Sequence, residues 1–209
     1  MKPLLRAVFL LVLSISVSAC GQSKEPLSAL EEIQNQLLNM EGYEATATLT
    51  RTSNKGENVY ETKQYYQADG KYRLDLTAPQ SVAGNYTIYD GERVEQYNAA
   101  LDKRLVKTVA EPQQPNQLFL GEFMRNYLQS EGVGVEAAAL DEAKCVVLEA
   151  SIPNGDHALA SEKLWVDSDT LLPVRLVLYD DKGQERYRID YEDFTFNPTF
   201  GQEIFKIAE

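Results

Sequence analysis

A two-residue alternation of apolar and polar side chains recurs through most of this chain, and this pattern restricts the fold to a sheet. Between residues 71 and 76, for example, Tyr72, Leu74 and Leu76 alternate with charged residues. Such a strand packs one face on a core and turns the other to water. The pattern predicts strands at residues 43–50, 58–67, 71–76, 86–89, 92–97, 145–150, 163–167, 174–179 and 185–196.

Two segments depart from the alternation and carry apolar residues at helical spacing. Residues 28–31, Ser-Ala-Leu-Glu, match a capping box and should start the first helix. Its apolar stripe is Leu30, Ile33, Leu37 and Met40. The second helix is expected within residues 116–130, where the spaced apolar residues are Leu120, Phe123, Met124, Tyr127 and Leu128.

The number of strands determines the expected architecture. About nine antiparallel strands exceed what a small flat sheet holds, so the sheet should curl and its concave face must be filled or covered. A change of alternation after Tyr191 indicates a β-bulge near residues 192–193. We therefore predict a mainly β, α+β fold in which a curved antiparallel sheet packs its inner face against two helices.

The first residues are predicted to be an export signal rather than part of this fold. Lys2 and Arg6 precede an uncharged run of 13 residues, 7–19, shorter than the ~20 residues of a membrane-spanning helix. The run ends in Val-Ser-Ala-Cys20, which matches a bacterial lipobox; the alternative is an ordinary signal peptide with a chance cysteine. We expect a lipoprotein signal peptide at 1–19, acylated Cys20 with its tether at 20–26, and one folded domain at 27–209.

Composition argues against several classes of function. The chain has 20 Lys and Arg against 32 Asp and Glu, a net charge of −12, which disfavours nucleic acid as a partner. One His and two Cys cannot supply a three-His or four-Cys zinc site. Once Cys20 is acylated, Cys145 is the remaining thiol, and its apolar strand predicts a buried, inert side chain. We expect no metal and no cofactor.

A catalytic triad or a metal site would have to use the single imidazole. His157 follows Pro-Asn-Gly-Asp, a composition typical of an exposed turn, where a histidine is usually solvated. A hydrolase is therefore a weak hypothesis for this chain, and we expect no enzymatic activity.

Three stretches resemble the LolA/LolB-like superfamily of lipoprotein carriers and receptors. They are residues 88–97, which begin Ile-Tyr-Asp-Gly, residues 118–123, Leu-Phe-Leu-Gly-Glu-Phe, and residues 162–183, which begin Glu-Lys-Leu-Trp-Val-Asp and continue through Leu-Leu-Pro-Val. The resemblance covers roughly residues 27–205 and ends in Asn197-Pro198. Within the superfamily, the chain is most similar to lipidated GerS-type germination lipoproteins of spore-forming bacteria.

This resemblance implies an incomplete β-barrel with a helical lid over an apolar cavity. The residues expected to line such a cavity are Leu120, Phe123, Met124, Tyr127, Trp165, Leu176 and Leu178. For each of them the alternative is ordinary core packing.

Two functions remain ahead of a hydrolase. The first is a membrane-anchored, non-catalytic protein that binds a hydrophobic ligand, such as the acyl chains of a lipid or a lipoprotein. The second, implied by the GerS-type resemblance, is an anchored protein that positions or activates a cell-wall (cortex) amidase during sporulation or germination. Either would act on the extracytoplasmic face of a bacterial membrane, the outer one if the cell has two. An open apolar cavity would favour the first and a filled cavity the second.

Overall fold

The computed structural model describes residues 25–109, 116–153, 155 and 157–207. A short 3₁₀ helix, Pro26–Ala29, leads into helix α1, Leu30–Leu38, and helix α2 is Leu120–Gln129. The strands are β1 Gly42–Ser53, β2 Gly56–Gln67, β3 Tyr72–Ala78, β4 Tyr86–Tyr89, β5 Arg93–Asn98, β6 Lys103–Thr108, β7 Gly134–Leu140, β8 Ala143–Ser151, β9 Ser161–Asp167, β10 Pro173–Tyr179 and β11 Glu185–Phe196.

All these strands join one antiparallel sheet, in the order β6-β5-β4-β3-β2-β1-β11-β10-β9-β8-β7. Strands β1 to β6 lie side by side in chain order, and so do strands β7 to β11. The pairing of β1 with β11 connects these two groups. The sheet is curved but open, because β6 and β7 end the order without pairing to each other. The predicted α+β class, a curved antiparallel sheet forming an incomplete barrel with a helical lid, is confirmed.

A β-bulge interrupts the central pair of strands. Thr46 pairs with Asp193 but Ala47 pairs with Tyr191, so Glu192 is the extra residue. A bulge of this kind bends its strand and increases the local twist, which helps a long sheet to curl. The change of alternation predicted the bulge at this position.

The core lies on the concave face of the sheet, beneath the two helices. Ile33 and Leu37 of α1 and Phe123 of α2 are buried there against apolar side chains of β1, β8, β9, β10 and β11. Helix α1 has nine residues and is too short to be stable alone in water. Packing on the sheet therefore stabilises it, at about 1.5–3 kcal/mol for each large apolar side chain that is buried.

The predicted capping box is wrong. Ser28 lies in the 3₁₀ helix, and its hydroxyl donates a hydrogen bond to the carbonyl of Glu25 at 2.7 Å. The N-cap residue of α1 is Ala29, which makes no side-chain capping bond. The preceding 3₁₀ helix moves the start of the α-helix beyond the serine, so Ser28 cannot reach the amides that a capping box pairs.

Each of the nine predicted strands is present, and two further strands were not predicted. These are β6 and β7, the two edges of the sheet. The predicted signal peptide, the acylation site Cys20 and the tether as far as residue 24 lie outside the residues that the structure describes.

Candidate functional site

Helix α2 brings most of the predicted cavity residues together on the concave face of the sheet. From the helix come Leu120, Phe123, Met124 and Tyr127, and all four are buried. Phe123 stacks on Tyr127, with ring centroids 5.8 Å apart. Leu176 and Leu178 of β10 are fully buried in the same apolar cluster. Six of the seven candidates are thus neighbours in one core.

Trp165 lies on the other face of the sheet. Leu164 and Val166 on either side of it are fully buried in the core, and the alternation of a strand turns the residue between them away. The cross-strand neighbours of Trp165 are Val147 and Arg175. Trp165 is therefore separated from the other six candidates by the thickness of the sheet.

The contact between α2 and the sheet is close enough to leave no gap at the start of the helix. A Cβ atom added to Gly121 would lie 1.9 Å from Cζ of Tyr66, so the helix backbone rests directly on that ring. Phe119, which precedes the helix, packs against the rings of Tyr43, Tyr66 and Tyr72. This part of the concave face is filled by aromatic side chains.

Two separate sets of polar hydrogen bonds cross the apolar contact between α2 and the sheet. Nδ2 of Asn126, on α2, donates hydrogen bonds to Oε1 of Glu162 at 2.7 Å and to Oε1 of Gln117 at 2.8 Å. Tyr43 donates from its hydroxyl to Oε1 of Gln64 at 2.8 Å. The backbone amide of Leu120, at the start of the helix, donates to the same tyrosine oxygen at 3.2 Å. These bonds hold α2 to the sheet at Leu120, its first residue, and at Asn126, in its second half.

Among these hydrogen-bonded side chains, Glu162 is a carboxylic acid in a fully buried position. Its side chain is fully buried, and Oε2 has no hydrogen-bond partner among the described residues. Burial raises the pKa of Glu162 to about 8, the hydrogen bond from Asn126 lowers it in part, and the nearby carboxylate of Glu122 raises it further. The sequence analysis did not predict that Glu162 is buried. Its parity with Leu164 and Val166 in the same strand could have identified it.

Beyond α2, the concave face of β3 to β6 carries an open depression of about 390 Å³. Cross-strand pairing places Leu74, Thr87, Gln96 and Leu105 in one row across these four strands. All four residues line the depression. Leu105 is 50% exposed, so this end of the sheet presents apolar surface that the core does not use.

Strand β6, the outer wall of the depression, is held to β5 by an ion pair on the opposite face. Glu95 is buried to 1% exposure, and the Arg104 guanidinium lies 3.6 Å from its carboxylate. The hydroxyl of Tyr86 donates to Oε1 of Glu95 at 2.7 Å. Arg104 also lies over the ring of Tyr97, 5.6 Å from its centroid. Arg104 is therefore occupied in fixing β6.

A second depression, of about 500 Å³, lies between the start of β1 and the C-terminal segment, and Phe200 is part of its lining. Its two lysines already have acidic partners. Lys71 pairs with Asp69 at 2.6 Å, and Lys206 pairs with Glu203 at 3.4 Å. Because these charges are compensated locally, the depression is a weaker candidate for an anionic ligand than its lysines suggest.

The single histidine and the cysteine of β8 lie in different surroundings. His157 is exposed and contacts the carboxylate of Asp181. Cys145 is buried, and its burial raises the pKa of the thiol to about 11, so the reactive thiolate is scarce at neutral pH. Within residues 25–109, 116–153, 155 and 157–207, no group of three His, Cys, Asp or Glu residues is arranged to hold a metal ion.

No helix in the described part of the chain is both long enough and apolar enough to cross a membrane.

Several solved structures have a fold similar to that of this chain. A chain of the CwlD amidase complex with the GerS lipoprotein, from Clostridioides difficile, is 26% identical, with a TM-score of 0.50 over 84% of this chain and 98% of that one. An uncharacterized conserved protein from Thermus thermophilus is 14% identical, with a TM-score of 0.54 over 87% of this chain and 95% of that one.

The neighbours also include the LolA superfamily protein NE2245 from Nitrosomonas europaea, which is 14% identical, with a TM-score of 0.45 over 88% of this chain and 98% of that one. No curated protein sequence matched the chain. A chain of the GerS-bound amidase complex is thus among the neighbours, in agreement with the GerS-type resemblance. The family described as sporulation protein YdcC-like matches residues 1–205. The chain belongs to the sporulation protein YdcC-like family.

Proposed function

We propose that this protein is a membrane-anchored, non-catalytic envelope protein of sporulation that binds a protein partner, a peptidoglycan (cortex) amidase being the partner class. The observation that carries this proposal is the filled concave face beneath α2. Leu120 and Phe123 are fully buried against the sheet, and Gly121 lies directly on Tyr66. An acyl chain would have to displace these contacts, whereas a protein partner can bind the outside of the sheet without disturbing them.

The comparisons support the same choice. The family is associated with sporulation, and the 26% identical neighbour comes from a complex that contains an amidase and a lipoprotein. The partner-binding role is therefore proposed ahead of acyl-chain carriage.

The anchor is proposed at Cys20. The lipobox that ends in this residue supports cleavage before it and acylation of its thiol, and two or more acyl chains would give durable attachment to a membrane. The folded domain would then lie close to the extracytoplasmic surface, since the tether of residues 20–26 is short. In this position the protein would hold its amidase near the membrane.

The test uses the full-length protein, extracted in detergent, and the cortex amidase of the same organism. Size-exclusion chromatography with light scattering should reveal a complex of the two proteins, and mass spectrometry of the mature N-terminal peptide should show acyl chains on Cys20. Two proteins that elute separately at micromolar concentration would contradict the partner-binding role. A mature protein whose residue 20 carries no acyl chain would contradict the anchor.

A hydrophobic ligand remains a second candidate function, because of the depression on the concave face of β3 to β6. Leu74, Leu76 and Leu105 line it, and each CH₂ group buried there would contribute about 0.8 kcal/mol. Native mass spectrometry of the purified protein checks this function. A reproducible added mass that matches a phospholipid or an acylated peptide supports it, and an unmodified mass argues against it.

A further inference from the structure

Within the described part of the chain, the edge strand β6 is paired with a neighbouring strand on one side only. Residues 103–108 pair with β5 on the inner side, and no described strand pairs with the outer side. All six residues of the strand are exposed. The opposite edge differs, because β7 lies beside the 3₁₀ helix Pro26–Ala29. Free amide and carbonyl groups along an exposed edge can accept another strand.

The charge of β6 is opposite to that of the whole protein. The strand contains Lys103, Arg104 and Lys107 and no acidic residue, in a chain whose net charge is −12. Arg104 is paired with Glu95, whereas Lys103 and Lys107 form no ion pair within the described residues. Cations along an edge oppose pairing with a second copy of β6, since like charges would face each other, and they favour an acidic strand.

The two lysines flank an apolar side chain on one face of the strand. Lys103, Leu105 and Lys107 are two residues apart, so all three lie on the concave face. Leu105 continues the row that begins at Leu74 and crosses the depression of about 390 Å³. A strand added beside β6 would place every second side chain on this face, opposite a lysine, the leucine and the other lysine.

We propose that the outer edge of β6 accepts an extended segment of a protein partner as a twelfth strand of the sheet. The segment has the pattern acid-x-apolar-x-acid: its acidic residues face Lys103 and Lys107, and its apolar residue lies beside Leu105 at the rim of the depression. Backbone hydrogen bonds supply affinity, and the three side chains supply specificity. This inference names the partner chemistry and the surface, and it rests on the proposed partner-binding function.

The experiment measures fluorescence anisotropy of labelled peptides with the full-length protein in detergent. The test peptide is Ser-Thr-Glu-Thr-Leu-Thr-Glu-Thr-Ser. One comparison peptide replaces both Glu by Lys, and another carries N-methyl groups on alternate backbone amides. The acidic peptide should bind at least tenfold more tightly than either comparison peptide, because one loses the charge pairs and the other loses the strand hydrogen bonds. Equal affinity for the three peptides would overturn the proposal.

Variants of the protein locate the binding surface. The double variant Lys103→Glu/Lys107→Glu should bind the acidic peptide about tenfold more weakly and should prefer the Lys peptide. The matched control is Lys55→Glu/Lys182→Glu, which makes the same charge change at exposed positions in two turns away from β6 and should bind like the unmodified protein. Both double variants change exposed side chains, and a thermal unfolding scan of each verifies the fold. An equal loss of affinity in both variants would reduce the effect to net charge and contradict the proposal.

Two further measurements separate this inference from other outcomes. Binding of phosphatidylglycerol vesicles through Lys103 and Lys107, without binding of the acidic peptide, would make β6 a membrane-facing surface and overturn the inference. An amidase that binds the protein equally well with and without the β6 substitutions would refute the β6 site while leaving the proposed function intact. An acidic peptide that binds at β6 while the amidase does not bind would refute the proposed function alone.

Discussion

The buried carboxyl of Glu162 should make the stability of this protein fall as the pH rises. Its side chain is fully buried, one oxygen lacks a hydrogen-bond partner in the described structure, and burial raises its pKa from 4.5 to about 8. Between these values the unfolded chain has lost a proton that the folded protein still holds. Stability therefore decreases with pH across this window, because the folded state binds more protons. Glu162→Gln removes the titrating group and keeps an oxygen that can accept from Asn126.

The size of the effect follows from the width of the window. Each pH unit between the two pKa values costs about 1.4 kcal/mol of folding stability. From 4.5 to about 8 the total is at most about 5 kcal/mol, and relaxation around the charge reduces it. We expect Glu162→Gln to be within about 1 kcal/mol of the unmodified protein at pH 4.5 and about 3–5 kcal/mol more stable at pH 8.5.

Urea unfolding at pH 4.5, 6, 7.5 and 8.5, followed by circular dichroism at constant ionic strength, measures this difference. Glu142→Gln is the matched control, because Glu142 is exposed on the turn between β7 and β8. It should change the free energy of unfolding by less than about 0.5 kcal/mol at every pH. If the unmodified protein and Glu162→Gln lose stability in parallel between pH 4.5 and 8.5, Glu162 is not the group responsible and the reasoning fails.

Three other predictions address the core, a turn and the thiol. Phe123→Ala, which empties a fully buried position on α2, should lower the free energy of unfolding by about 3–5 kcal/mol, while Leu128→Ala, at a 64% exposed position of the same helix, should change it by less than about 0.5 kcal/mol in the same urea titration. Asn197 has φ of 53° and its Oδ1 accepts from the amides of residues 41 and 42. Thermal unfolding should therefore show a loss of about 2 kcal/mol for Asn197→Ala and a smaller loss for Asn197→Gly. In the full-length Cys20→Ser protein, Cys145 should react with a thiol reagent in urea and remain unreactive in buffer; rapid reaction of the folded protein would contradict its burial.

The sequence predicted the part of the fold where burial imposes a pattern. In the central strands one face is buried and the other is solvated, so alternation reveals both the strand and its orientation. Helix α2 was identified for the same reason, since Leu120, Phe123, Met124 and Tyr127 must share one face to reach the core. The bulge at Glu192 was also predictable, because an extra residue reverses the alternation and leaves a trace in the sequence.

The sequence analysis was less accurate where tertiary packing decides which face of a strand is buried. Trp165 is among the residues expected to line a cavity, but its neighbours Leu164 and Val166 are the ones that face the core. The same parity places Glu162 inside, against the usual preference of a carboxylate for water. In both cases strand parity is the signal that gives the orientation of the side chain.

The two missed strands show how the fold and the proposed binding surface are related. Strand β6 has no buried residue and β7 has none either, so neither carries the contrast between inside and outside that predicts a strand. They form because a neighbouring strand already offers free backbone groups for pairing. The same absence of burial is a condition for the proposed addition of a further strand at β6. A surface that selects a partner by backbone pairing and by two cations needs no apolar periodicity of its own, and therefore periodicity alone cannot detect it.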